Sequence, residues 1–144
     1  MANGKKQYAV FGLGNFGMSL ALTLQKSGCE VIAVDAAMSR VDAIKDNVSM
    51  AMRAKMEDES LIKSLEVKDL DGVIIATADN MEASIMATLL VKEEGVPFVL
   101  ARAKDALQEA VLKKVGADEV IRSEQEMGRQ VAHHLVAGDF PLEE

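Results

Sequence analysis

Short apolar runs alternate with longer segments of helical periodicity along the whole chain. Val73, Ile74 and Ile75 form a run without polar alternation, which is typical of a strand buried on both faces of a parallel sheet. Ser39 and Asn80 belong to residue types that are favoured as helix N-caps, and each precedes or opens a helical segment. The apolar runs predict strands at residues 8–11, 31–34, 49–53, 72–76, 98–101 and 119–121. The helical segments predict helices at residues 15–26, 39–47, 58–65, 80–94, 105–115 and 124–136.

Regular alternation of strand and helix predicts an α/β fold with a doubly wound parallel sheet and right-handed crossovers. We expect a Rossmann-like sheet of six strands in the order 3-2-1-4-5-6. A ligand would then lie over the carboxyl ends of the strands, where the order reverses beside the first strand. The 144 residues fit a single domain. We expect that domain to span residues 1–138 and residues 139–144 to be a tail or the start of a linker.

The first predicted strand leads into Gly12, Gly14 and Gly17, at G-x-G-x-x-G spacing. Gly12 lets the chain turn tightly out of the strand, and Gly17 lets the following helix pack close to the sheet. Gly14 has no Cβ, so the phosphates of a ligand can approach the backbone there. The N–H groups and the positive dipole end of the helix would face those phosphates. This order of strand, turn and helix predicts a nucleotide-binding βαβ unit.

An acidic residue, Asp35, follows the second apolar run and lies 18 residues beyond Gly17. A carboxylate at this strand end can accept hydrogen bonds from both hydroxyls of a ribose, and it would repel a 2′-phosphate. The pattern therefore favours NAD or another adenosine nucleotide with an unmodified ribose over NADP. The alternative is a Rossmann scaffold in which the glycines serve packing alone.

Further candidate site residues lie in the glycine turn and where other strands end: Leu13, Asn15, Phe16, Ala54, Lys55, Thr77, Ala78, Asp79, Arg102 and Glu124. By position, Thr77 and Ala78 would lie near the adenosine, and Ala54 beside the adenine ring. Arg102 has two interpretations, since its planar fork of donors can bind a phosphate or form a surface salt bridge. Asn15 offers neutral donors where a cation would reach a terminal phosphate, which argues against a triphosphate ligand.

Composition and motif content narrow the function further. The net charge of −7 argues against DNA or RNA as a partner, and 3% aromatic residues without tryptophan make a base-stacking surface improbable. A single cysteine excludes an internal disulfide and fits a reducing compartment. No run approaches the roughly 18 apolar residues of a membrane span, so we expect a cytoplasmic protein unless a partner holds it at a membrane. No metal-ligand spacing, catalytic triad or P-loop is present in the sequence, which favours binding over turnover.

Several of these segments resemble the KTN domain, also called the RCK domain, which regulates potassium channels and transporters of the Ktr and Trk type. The resemblance extends from about residue 6 to residue 135. It rests on five segments: Phe-Gly-Leu-Gly-Asn-Phe-Gly at 11–17, Val-Asp at 34–35, Val-Ile-Ile-Ala-Thr at 73–77, Asn-Met-Glu-Ala-Ser at 80–84 and Val-Gly-Ala-Asp-Glu-Val-Ile at 115–121.

The resemblance implies a cytosolic gating subunit that forms dimers and octameric rings beneath a membrane-embedded potassium channel or transporter. Such domains bind NAD(H), ATP or ADP, and ligand exchange changes the angle between paired domains. Arg102 and Glu124 would complete the site, with Glu124 supplied by the same chain or by the dimer partner. The last helix resembles the segment that crosses to the partner, so Met127, Val131 and Leu135 are either core or interface.

Two departures from the family pattern change these expectations. The resemblance implies an arginine at position 15 that reaches the terminal phosphate of ATP, and this chain has Asn15. We therefore expect NAD(H), ADP or AMP in preference to ATP. Family members also carry a second, smaller C-terminal domain, so this chain is either a truncated form or a short homologue. The alternative functions are a fragment of an NAD-dependent oxidoreductase and a Rossmann module that serves oligomerisation alone.

Overall fold

A sheet of six parallel strands runs through the part of the chain that the computed structural model describes, residues 4–139. The strands are β1 (Gln7–Phe11), β2 (Glu30–Asp35), β3 (Met50–Arg53), β4 (Gly72–Ile75), β5 (Val99–Arg102) and β6 (Glu119–Ile121). The α-helices between and after them are α1 (Asn15–Lys26), α2 (Met38–Ile44), α3 (Glu59–Leu65), α4 (Met81–Glu93), α5 (Ala106–Val115) and α6 (Ser123–Ala137). Two short 3-10 helices lie at Lys45–Asn47 and Val67–Asp69.

The strand order is β3-β2-β1-β4-β5-β6, as the sequence predicts. Phe11 at the end of β1 is in register with Val34 on one side and Ile75 on the other. The carboxyl ends of β1, β2 and β4 therefore lie level at one edge of the sheet. The connections that leave this edge, after β1, β2 and β4, can converge on a common ligand.

Both faces of the sheet are buried. Ala9 and Phe11 belong to a cluster that includes residues of α3, α4 and α5, whereas Val10 belongs to a second cluster that includes residues of α1 and α2. Val73 and Ile75 contribute to the first cluster and Ile74 to the second. Burial on both sides explains why β4 carries a continuous apolar run without alternation.

Of the two predicted N-cap residues, Asn80 caps helix α4, but Ser39 does not cap helix α2. The Oδ1 atom of Asn80 accepts a hydrogen bond from the backbone N–H of Ala83 at 3.1 Å. Helix α2 begins at Met38 with Ala37 as the N-cap residue and no side-chain cap, so Ser39 lies inside the helix and the prediction was wrong. The reason is Asp35, whose Oδ1 atom accepts the N–H of Ala37 at 2.8 Å and shapes the turn before the helix.

No residue of helix α6 is fully buried in the domain, and Val131 of its apolar stripe is partly buried. Met127 is 53% exposed and Leu135 is 65% exposed, so neither belongs to the core of this chain. Of the two interpretations of this apolar stripe, the core interpretation is therefore wrong for both residues. The expected tail falls mostly on residues 140–144, which lie outside the described residues. Nowhere between residues 4 and 139 is a helix both long enough and apolar enough to cross a bilayer.

Candidate functional site

The glycine turn is closely packed at its first and third glycines. Gly12 has a φ of +99°, and a Cβ on it would come within 3.1 Å of the Cβ and the backbone nitrogen of Thr77. A Cβ on Gly17 would overlap the carbonyl oxygen of Gly12 and lie 3.1 Å from the Cβ of Ala76. The two glycines let the turn, α1 and the end of β4 approach one another.

Gly14 differs from its two neighbours because it faces open space. A Cβ on this residue would meet no heavy atom within 4 Å. Above it lies a groove of about 490 Å³. The groove is lined by Leu13, Gly14, Asn15, Phe16, Met18, Arg40, Asp79, Arg102 and Glu124. We call it the phosphate groove, because it lies over the start of α1, where a helix offers N–H groups and positive potential to an anion.

The Asp35 carboxylate accepts backbone hydrogen bonds from both the glycine turn and the residue before α2. The residue is 8% exposed, and its Oδ2 atom accepts the backbone N–H of Leu13 at 2.7 Å. The Oδ1 atom accepts the N–H of Ala37 at 2.8 Å. The Nη1 atom of Arg40 lies 3.6 Å from Oδ2. Because an ionised carboxylate has about four acceptor positions, roughly two remain for other donors such as ribose hydroxyls.

A second cavity of about 310 Å³ includes Asp35 in its lining, and we call it the adenosine cavity after the sequence expectation that adenosine lies near Thr77 and Ala54. It is lined by Gly12, Val34, Asp35, Ala36, Arg40, Ala54, Lys55, Met56, Glu57, Thr77, Asn80 and Ala83. The backbone N–H of Ala54 donates to the carbonyl oxygen of Asp35 at 3.0 Å, which holds the loop after β3 against β2. The structure thus brings Ala54, Lys55 and Thr77 together with Asp35 in the lining of one cavity.

Arg102 connects the glycine turn to the beginning of α6. Its Nε atom donates to Oγ of Ser123 at 2.8 Å, Nη1 to the carbonyl oxygen of Ala76 at 3.2 Å, and Nη2 to Oε2 of Glu124 at 2.8 Å. The guanidinium carbon also lies 5.4 Å from the centroid of the Phe16 ring, within cation–π range. Arg102 therefore forms the salt bridge of its second interpretation, within one chain, while still lining the phosphate groove.

Glu124 is held in its ionised form by this arrangement. Its pKa lies below the ordinary value because its carboxylate accepts a hydrogen bond from its own backbone N–H and lies beside the Arg102 guanidinium, with Ser123 as a further donor. The carboxylate is 70% exposed. It is therefore a charged acceptor at the mouth of the phosphate groove, next to the start of α6.

Two of the predicted residues lie apart from both cavities. Gly17 acts through packing, as described above, and Ala78 is 4% exposed and lines neither cavity. Asp79 does line the phosphate groove, where it forms an exposed ion pair with Lys104 at 3.2 Å. The sequence reasoning missed Arg40, which lines both cavities. The available signal was a cation five residues beyond Asp35, one turn into the following helix.

A parallel sheet whose order reverses beside β1, with a glycine turn and a strand-end carboxylate at that point, defines the Rossmann class of fold. The family model of the TrkA-N domain matches residues 8–123. The chain belongs to the TrkA-N family, which confirms the resemblance drawn from its motifs.

Two curated relatives carry names from potassium uptake. The chain is 38% identical over 135 residues to Ktr system potassium uptake protein C of Bacillus subtilis, covering 94% of this chain and 61% of the relative. It is 43% identical over 136 residues to Ktr system potassium uptake protein A of Vibrio alginolyticus, covering 94% of this chain and 62% of the relative. The chain thus spans about three fifths of the length of these relatives.

Solved structures of low sequence identity share the fold. The TrkA-N domain of inner membrane protein ybaL from Escherichia coli superposes with a TM-score of 0.81 at 18% identity, covering 92% of this chain and 98% of that chain. The GsuK channel bound to NAD has a TM-score of 0.77 at 14% identity, covering 90% of this chain and 24% of that one. The Kef C-terminal domain of Shewanella denitrificans in its AMP-bound form has a TM-score of 0.71 at 16% identity, covering 94% and 83%.

Proposed function

We propose that this chain is a nucleotide-sensing regulatory domain of a potassium uptake system and that it binds its ligand without catalysing a reaction. The observation that carries the proposal is the convergence of the glycine turn, Asp35 and the loops after β3 and β4 around two cavities that share Arg40. The names of the relatives support a role in potassium uptake. The NAD- and AMP-bound structures that share the fold support an adenine nucleotide as the ligand.

The shape and chemistry of the two cavities suit the two halves of such a ligand. The base would lie in the adenosine cavity beside Ala54 and Thr77, and the ribose hydroxyls would donate to the remaining acceptor positions of Asp35. The phosphates would lie over Gly14, where the absence of a Cβ leaves room for close approach to the backbone. The remaining proposed site residues support these contacts or the packing around them: Gly12, Leu13, Asn15, Phe16, Gly17, Lys55, Ala78, Asp79, Arg102 and Glu124.

The charges of the phosphate groove favour a short phosphate chain. Arg40 and Arg102 line the groove together with Asp79 and Glu124, so the two cations face two carboxylates. Asn15 adds neutral donors where the groove begins. A third phosphate would bring further negative charge towards the two carboxylates, and the nearby cation Lys104 is already paired with Asp79. We therefore favour NAD(H), ADP or AMP over ATP.

Arg102 offers a route from the ligand to the oligomer. It contacts Phe16 in the glycine turn and both Ser123 and Glu124 at the start of α6. A ligand phosphate in the groove would lie beside the salt bridge between Arg102 and Glu124 without replacing its hydrogen bonds, and the phosphate's negative charge would repel Glu124 at the start of α6. Since Met127 and Leu135 are largely exposed on α6, we propose that its apolar stripe packs on a second copy of the chain. Ligand binding would then favour one dimer geometry by a coupling free energy of about 1–3 kcal/mol.

This assembly would act on a membrane-embedded channel or transporter subunit from the cytoplasmic side, and dimers would combine into the octameric ring that the family resemblance implies. The domain would comprise residues 1–138, with residues 139–144 as a tail or the start of a linker. Nucleic acid is not a proposed partner, because the chain carries a net charge of −7.

The test is calorimetric titration of NADH, ADP, AMP and ATP into wild-type protein and Gly14→Val. Gly14 lines the phosphate groove and a Cβ on it would meet no protein atom within 4 Å, so we expect loss of nucleotide binding with a retained fold. Ala110→Val is the control, since that alanine is exposed on α5 and lines neither cavity. Wild-type affinity in Gly14→Val would refute the phosphate site. Oxidation of NADH with carbonyl substrates would favour the oxidoreductase alternative.

A further inference from the structure

Arg40 is the one described residue that lines both the adenosine cavity and the phosphate groove. It lies in the first turn of α2, and its side chain is 54% exposed. Its ion pair with Asp35 spans 3.6 Å between Nη1 and Oδ2, which is longer than a hydrogen bond. Asp35 is buried, but it keeps its two backbone donors when the arginine leaves, and the half-exposed guanidinium makes no short hydrogen bond to it, so the guanidinium can change partners at small cost.

Arg102, the other cation of the phosphate groove, is held much more firmly. Its Nε, Nη1 and Nη2 atoms each donate to an oxygen of the same chain at 2.8–3.2 Å, and its side chain is 20% exposed. A phosphate that recruited Arg102 would have to displace these bonds. Arg40 would give up only its contact with Asp35. The two cations therefore differ in their readiness to bind an incoming anion.

Movement of Arg40 away from Asp35 would also favour binding of the ribose. Two acceptor positions of Asp35 are occupied by the N–H groups of Leu13 and Ala37. The Arg40 guanidinium, which lies beside Oδ2, competes with a ribose hydroxyl for the remaining acceptor positions of Asp35. When Arg40 turns towards a phosphate, that position on Asp35 becomes accessible to the ribose. A single side-chain movement would thus prepare both subsites.

We propose that Arg40 is the phosphate-binding cation of this site and that it moves from Asp35 to the 5′-phosphate of the bound nucleotide. This inference rests on the proposed nucleotide-binding function. Arg40 supplies the positive charge that Asn15 does not, and it reaches the phosphate from α2 and not from the glycine turn. The expected consequence is that Arg40 determines how much affinity the phosphate adds to adenosine.

The experiment measures the phosphate gain, defined as the ratio of the affinities for adenosine 5′-monophosphate and adenosine. Adenosine and adenosine 5′-monophosphate are titrated calorimetrically into wild-type protein, Arg40→Gln, Arg40→Lys and Arg53→Gln. Arg53 is an exposed arginine at the end of β3 that lines neither cavity, so its variant controls for the lost charge. We expect Arg40→Gln to reduce the gain from the 5′-phosphate about tenfold or more, the scale of a hydrogen bond to a charged group. Its affinity for adenosine should stay the same or rise.

The variants and a positional isomer give further outcomes. Arg40→Lys should restore part of the gain because it restores the charge, and Arg53→Gln should resemble wild type. Raising the salt concentration should reduce the gain in wild type more than in Arg40→Gln, since a half-exposed ion pair is screened. Adenosine 2′-monophosphate should bind no more tightly than adenosine in any of these variants, because the Asp35 carboxylate at the ribose would repel a 2′-phosphate.

Three results would overturn the inference while leaving nucleotide binding intact. These are an unchanged phosphate gain in Arg40→Gln, an equal loss of affinity for adenosine and its 5′-phosphate, and a gain confined to the 2′-phosphate. An equal loss would show that Arg40 acts by ordering Asp35. If wild-type protein binds neither adenosine nor any of its phosphates, the proposed function fails, and this inference fails with it.

Discussion

Replacing Asp35 with alanine should weaken both folding and ligand binding, because the carboxylate has a role in each. The substitution removes the acceptor for the N–H of Leu13 at 2.7 Å and for the N–H of Ala37 at 2.8 Å. The bond from Leu13 is buried, so its donor would lose its partner away from water, at a cost of about 1–3 kcal/mol. The bond from Ala37 is partly buried, and its loss should cost about 1 kcal/mol. We expect the free energy of unfolding to fall by about 2–4 kcal/mol.

Asp35→Asn separates the two roles of the side chain. The amide keeps the volume and one oxygen acceptor, so it can satisfy one of the two backbone donors. We expect a smaller loss of unfolding free energy than in Asp35→Ala, about 1–2 kcal/mol. Both variants lose the charged acceptor for the ribose, so both should lose about 1–3 kcal/mol of adenosine binding.

Urea unfolding monitored by circular dichroism gives the stability, and calorimetry with adenosine gives the binding. Asp46→Ala is the control, since Asp46 is an exposed acid in the 3-10 helix after α2, and its loss should change the stability by less than about 0.5 kcal/mol. If Asp35→Ala left the unfolding midpoint unchanged, the hydrogen bonds from Leu13 and Ala37 to Asp35 would not stabilise the fold. Reduced stability with unchanged adenosine affinity would instead remove the ribose assignment.

Two further predictions test the packing of α1 and the role of α6. Gly17→Ala should lower the unfolding free energy by about 1–3 kcal/mol in urea titration, because its Cβ overlaps the Gly12 carbonyl oxygen. Gly128→Ala, in open space on α6, should instead raise stability by up to about 1 kcal/mol, and equal effects of the two would contradict this account. Met127→Asp should give monomers in analytical ultracentrifugation, whereas His133→Asp, on the opposite face of the same helix, should not. A dimer that persists in Met127→Asp would exclude this stripe as the interface.

Much of the fold could be predicted because its signals are local. The predicted bounds of α1 and β6 agree with the structure, Asn15–Lys26 and Glu119–Ile121. The run in β4 revealed burial on both faces, since a strand between two helical layers has no solvent side. The glycine spacing and Asp35 located the site, because the fold brings the ends of neighbouring parallel strands to one edge.

Three features of the fold and the site depend on contacts between segments and could not be predicted from the sequence. Helix α2 starts before Ser39 because Asp35, three residues upstream of Met38, accepts the N–H of Ala37. Arg40 joins the two cavities only because α2 returns over the glycine turn, a placement that sequence spacing does not encode. Ala78 follows Thr77 directly, yet it is buried, since residues in a tight connection can face opposite ways.

The sequence by itself determined the order of the elements, the glycine turn and the acid at the end of β2. These depend on periodicity and on the backbone freedom of single residues, which act over a few positions. Only the tertiary structure decided which side chains share a cavity and that Met127 and Leu135 of α6 lie outside the core of their own domain. Helical periodicity specifies that a helix has an apolar face, but what covers that face depends on distant parts of the chain or on another molecule.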